Sequence, residues 1–87
     1  MSEKVKKIIK ILLLEDESQK DKIHLNYNIT VNDILDLNNY FMLENNIYID
    51  RAIYSSIKNN NNKVDKYIFK NYLNDIRNDI NEMLKDY

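Results

Sequence analysis

Along residues 69–87, large apolar side chains recur at steps of four, three, four, three and four: Phe69, Leu73, Ile76, Ile80, Met83 and Tyr87. That alternation keeps them on one side of an α-helix. It predicts a long amphipathic helix over about Val64 to Lys85, with Leu73, Ile80 and Tyr87 at a positions and Phe69, Ile76 and Met83 at d. Asn71, Asn74, Asn78 and Asn81 fall on the opposite side. Asparagine is a poor helix former, so this helix must bury its seam to persist. The pattern is too short for an independent coiled coil but long enough for one helix of a bundle. Two uses remain open for the seam: it closes the chain's own core, or it meets a second chain. On the second use, Tyr67, Phe69, Tyr72, Leu73, Ile76, Ile80, Met83 and Tyr87 are the candidate protein interface.

The rest of the chain reads as further helices. Ser2 caps a first helix from about Glu3 to Leu14, whose apolar face is Val5, Ile8, Ile9 and Leu12, widened by Ile11. Thr30 caps a second over about Val31 to Leu43, with Asp33 placed in its first turn and Ile34, Leu37 and Phe41 inward. A short third helix starts at Asp50, with Ala52, Ile53, Tyr54 and Ile57 as inward candidates. EDESQKDK reads as a polar connection, and alternation in KIHLNYNIT suggests a short extended piece. The expected fold is all-α: a single domain over residues 1–87, a three- to four-helix bundle with a long C-terminal helix.

Charge suggests an orientation. Residues 1–14 carry four lysines and one glutamate, followed at once by Glu15, Asp16 and Glu17. The last helix begins with Lys63, Lys66 and Lys70 and finishes among Asp75, Asp79, Glu82 and Asp86. Both gradients oppose the helix macrodipole. Antiparallel packing would set basic ends beside acidic ones, with the last helix pairing either with the first or with a symmetry mate in a dimer.

Several functions are excluded. The chain has no cysteine, hence no disulfide and no thiolate metal site. It has no glycine, hence no phosphate-cradling P-loop and no dinucleotide turn. Where a helix must end in a left-handed residue, Asn45, Asn46 and Asn59 to Asn62 are the available substitutes. His24 is the sole histidine and has no evident orienting partner, and Ser18, Ser55 and Ser56 have no evident base. Asp75, Asp79, Glu82 and Asp86 lack the spacing of a calcium loop. No catalytic residue, cofactor or metal ligand is assigned, and the chain is expected not to be an enzyme. Lys10 interrupts the N-terminal apolar stretch, and Ile11 to Leu14 is far too short to span a bilayer. An intracellular protein without stable membrane insertion is expected.

What remains is recognition. Seven tyrosines and two phenylalanines are many amphipathic groups for so small a core. The leading expectation is a module that binds another protein or its own copy. It would act as an inhibitor, immunity factor or adaptor by occupying a partner surface. In length and helical organisation the chain resembles bacteriocin immunity proteins. The alternative is a helix-turn-helix-like DNA-binding regulator built from residues 31–60, with contacts from Arg51, Ser55, Ser56, Lys58 and Lys63. Residues 51–70 favour it with Arg51, Lys58, Lys63, Lys66 and Lys70 against Asp65 alone. Acidic Asp33, Asp36, Glu44 and Asp50, within residues 30–50 where no basic residue stands, and a net charge of -1 weigh against it.

Overall fold

A computed structural model describes residues 1–14, 16–43, 48–59 and 62–85, apart from the side chains of Tyr48 and residues 83–85. These residues form α1 (Glu3–Leu14), α2 (Glu17–Lys20), α3 (Ile23–Asn26), α4 (Val31–Phe41), α5 (Tyr48–Lys58) and α6 (Lys66–Lys85). The fold is all-α with a long C-terminal helix, as the spacing predicts. The count of three to four helices is corrected to six, because two single turns occupy the segment between α1 and α4.

Each extra turn has a local cause. Asp16 Oδ1 accepts hydrogen bonds from the Gln19 backbone N–H at 3.1 Å and the Ser18 hydroxyl at 2.7 Å, so the acidic connection carries its own N-cap and starts α2. In α3, the backbone N–H groups of Leu25 and Asn26 donate to the Lys22 carbonyl. That turn buries Ile23 and leaves Leu25 exposed, so the alternation read as extended resolves into a helical turn. An extended remnant survives just after it. The Val64 N–H donates to the Ile29 carbonyl at 2.7 Å, and Thr30 forms an isolated antiparallel bridge with Lys63. The segments leading into α4 and α6 are thereby joined at one corner.

The other boundaries follow capping chemistry. Ser2 Oγ accepts from the Val5 N–H at 3.2 Å and opens α1. Thr30 and Asp33 form a reciprocal capping box on α4: Thr30 Oγ1 accepts from the Asp33 N–H, and Asp33 Oδ2 from the Thr30 N–H. Lys4 reaches across from α1 to the same Asp33 carboxylate at 2.7 Å and to the Asn28 carbonyl at 2.9 Å. α4 ends at Met42, which adopts the left-handed conformation (φ 54°, ψ 42°). It is the only positive-φ residue among those described, and the N–H groups of Met42 and Leu43 return to the last carbonyls of α4. In this glycine-free chain the left-handed position thus falls on a methionine. Asn45, Asn46, Asn60 and Asn61 lie outside the described residues, and Asn59 and Asn62 have ordinary negative φ.

One apolar cluster joins all of this. Val5, Ile8, Ile9 and Leu12 of α1 meet Ile34, Leu37 and Phe41 of α4 and the seam of α6, with Ile23, Ile29, Ala52 and Val64 filling between. α1 packs mainly on α4 and α2, while α6 packs on α3 and α5. α1 and α6 are therefore not each other's main neighbours. The acidic stretch after α1 does meet α6, but through Arg77, which pairs with Glu17 and Asp21.

Candidate functional site

The structure places the C-terminal seam inside this chain. Phe69, Tyr72, Leu73, Ile76 and Ile80 are all buried among residues of the same core. Tyr67 alone of the described candidates is exposed, at 64%. The Met83 side chain and Tyr87 lie outside what is described. Tyr72 is more central than its place beside the seam suggests. Its ring stacks on Phe69 with centroids 6.1 Å apart, and its hydroxyl donates to Asn38 Oδ1 at 2.5 Å, with the Ile34 carbonyl 3.4 Å away. Burial pushes its phenol far above the usual tyrosine range. A fully buried polar contact thus pins α6 to α4.

Of the four residues of α5 expected to face inward, Ala52 does and the other three do not. Ala52 and Ser55 face the core, with Ile49 and Ser56 partly covered. Ile53, Tyr54 and Ile57, read from the sequence as inward, are 40%, 69% and 72% exposed. The reason is steric and polar together. Small side chains at 52 and 55 allow α5 to approach α4 and α6 closely. The Ser55 hydroxyl also accepts from the Asp65 N–H at 3.0 Å and from Asn59 Nδ2 at 3.4 Å, which fixes the rotation of the helix. Because residues advance about 100° around a helix, the three large apolar groups then share one outward arc of roughly 100°. Asp50 lies within that arc, and exposed Arg51 and Lys58 border it.

The residues assigned to DNA contact are accordingly divided. Arg51, Lys58 and Lys63 are on the surface, and Ser56 is half-buried, with its hydroxyl donating to the Ile53 carbonyl at 2.8 Å. Ser55 is occupied in the interior.

A second surface feature lies between α3 and α6. Two adjoining clefts, of about 360 and 310 Å³, share His24. The first is bordered by Lys20, Asp21, Lys70 and Arg77, and the second by Tyr27, Lys63, Lys66 and Phe69. Partial burial, then the charges of Lys70 and Lys66, pull the His24 imidazole below its ordinary value of 6.5, and Asp21 opposes them weakly. Arg77 is partly buried too, which lowers its basicity. Its hydrogen bond to Asp21 at 2.8 Å and the charge of Glu17 outweigh that and leave it raised. Sequence spacing gives no hint of these clefts, because α3 was not visible as a helix.

Among the described residues no group of three or more His, Cys, Asp or Glu side chains is placed to hold a metal ion. No described helix is long and apolar enough to cross a membrane. No family model matches the chain, and no curated protein or solved structure matches it.

Proposed function

We propose that this chain is a protein-binding module that presents the outward face of α5 to an apolar groove on a different protein. The observation that carries the reading is the orientation of α5, whose small residues face the core while Ile53, Tyr54 and Ile57 face water. Positions i, i+1 and i+4 on one helix form an anchor set of the kind that helices insert into hydrophobic grooves. Tyr54 adds a large rigid ring with a polar tip, which suits a contact that must also tolerate water.

The size of the patch favours a different protein over a second copy. From their fractional exposures, the three side chains offer on the order of 300–400 Å² of mostly apolar surface, the size of an interaction patch on a monomer. An obligate homodimer typically buries at least about 1,000 Å² on each subunit. The patch instead matches the anchoring centre of a standard heterologous interface, with Asp50 inside it and Arg51 and Lys58 at its rim. Inhibitor, immunity factor and adaptor are forms of this mechanism: the helix occupies a surface its partner needs. A helix-turn-helix regulator stands second, supported by the exposure of Arg51 and Lys58 on the same helix.

The test is affinity capture from native extract after nuclease treatment, with the wild-type chain beside Ile53→Asp/Ile57→Asp. Both positions are exposed, so circular dichroism should show the fold retained. One stoichiometric partner held by the wild type and lost from the variant supports the reading. Equal retention by both, or retention that disappears with nuclease, contradicts it.

A further inference from the structure

We propose that the adjoining clefts between α3 and α6 bind a phosphate group, gripped by Lys66 and Lys70 on one wall and His24 on the other. The site is separate from the outward face of α5 and does not depend on the protein-binding reading.

Three observations converge on it. The first is shape: two clefts, about 310 and 360 Å³, share His24 as a common wall, with Lys66 lining the smaller and Lys70 the larger. Each is at the small end of ligand pockets. The second is charge. Lys66 and Lys70 stand one turn apart on the same side of α6, opposite Lys20 and His24, with Lys63 also lining the smaller cleft. Asp21 is the one carboxylate among the described lining residues, and it already accepts from Arg77. Lys20 is held at 3.4 Å by Glu17, so α6 supplies most of the uncompensated charge. The third is electrostatic tension. After partial burial, the charges of Lys70 and Lys66 depress the imidazole that faces them, and Lys66 sits in the first turn of α6, where the macrodipole disfavours cations. An anion in the clefts relieves both conflicts at once.

Phosphate fits this chemistry better than carboxylate. Lysine and imidazolium are point donors that converge from two walls, and a tetrahedral oxyanion has oxygens to meet both. The bidentate arginine fork that suits a planar carboxylate is absent from the basic part of the clefts, since Arg77 is engaged by Glu17 and Asp21. A phosphate group has two sources here: a free phosphate or its monoester, and the phosphodiester backbone of a nucleic-acid strand.

His24 is the only histidine of the chain, so its imidazole resonance is a single, unambiguous probe. Its pKa is measured by NMR at constant ionic strength in sodium chloride, with inorganic phosphate, and with an oligothymidylate. A bound anion favours the imidazolium, so the pKa is expected to rise by about one unit at saturation. In Lys66→Gln/Lys70→Gln the resting pKa should already be higher, because two repelling charges are gone. That variant should bind at least about tenfold more weakly, and its His24 should then no longer respond. A response to inorganic phosphate alone assigns a free phosphate ester, and tighter binding of the oligothymidylate assigns a nucleic-acid strand. Either upholds the site. It is overturned if chloride produces the same shift, if neither phosphate source moves His24, or if the double variant binds as the wild type does.

Discussion

Removing the Tyr72 hydroxyl isolates the contact that ties α6 to α4. Tyr72 is fully buried and Asn38 is 5% exposed, and the hydroxyl donates to Asn38 Oδ1 at 2.5 Å. Tyr72→Phe keeps the ring and its stacking on Phe69 but leaves a buried acceptor without its donor. Such an orphaned group costs about 1–3 kcal/mol, where a satisfied pair contributes only about 1 kcal/mol net. Asn38→Leu should cost less, about 1 kcal/mol, because the freed hydroxyl has the Ile34 carbonyl 3.4 Å away as a fallback. In the double variant no polar group is left stranded, so its cost should fall below the sum of the two by about 1 kcal/mol or more. Urea unfolding followed by circular dichroism measures all four corners of the cycle, and the slope m should stay constant. For a chain of this length a loss near 2 kcal/mol lowers Tm by roughly 10 °C. Costs that add within about 0.5 kcal/mol would refute the reasoning and show the contact to be energetically idle.

Three further outcomes follow from other contacts. Because burial raises the Tyr72 phenol in the folded state above its ordinary value of 10.0, its contribution is complete below about pH 10 and drains away as pH climbs above that. The wild type should therefore lose stability more steeply than Tyr72→Phe between about pH 10 and 11.5 in urea titrations at each pH. Asp33→Ala removes the side-chain half of the α4 capping box, the carboxylate that accepts from the Thr30 N–H, together with the Lys4 pair, and should cost about 1–2 kcal/mol by the same assay, with Asp33→Asn recovering part of the loss. Met42→Gly relieves the left-handed backbone at a side chain that is 83% exposed, and should stabilise the fold by about 0.5–1 kcal/mol despite the added freedom of the unfolded chain.

The parts that were legible in the sequence are those where one local signal settles the structure. In α1 a single apolar stripe competes with nothing, and Val5, Ile8, Ile9 and Leu12 are buried as read. Thr30 and Asp33 stand at capping-box spacing, and they cap. The seam of α6 announces a long helix with Asn71, Asn74, Asn78 and Asn81 in water. In α5 the reading holds for Ala52 and fails for Ile53, Tyr54 and Ile57, because the more apolar arc faces out. The inward arc holds Ala52 and Ser55, whose value lies in being small and in the Ser55 bond to the Asp65 N–H, ten residues on. No pattern within α5 carries that tertiary information. The same reasoning covers α2 and α3: a single turn has no periodicity to detect, and the clefts around His24 exist only once α3 is laid against α6. Of the candidate interface on the seam, Phe69, Tyr72, Leu73, Ile76 and Ile80 are buried in the chain's own core, and the exposed arc of α5 is the face proposed instead.

Among the described residues the fold buries Ile8, Ile34, Ile76 and Ile80 and exposes Ile53 and Ile57, and one measurement reads both sets. Isoleucine δ-methyl groups are labelled and their relaxation is followed with a soluble paramagnetic agent, at low and high micromolar chain concentration. Ile53 and Ile57 should relax strongly at both concentrations, while Ile8, Ile34, Ile76 and Ile80 stay protected at both. The contradicting result is a seam in which Ile76 and Ile80 are accessible in dilute solution and become protected only as concentration rises. That would make α6 an interface between chains and remove the seam from this chain's own core.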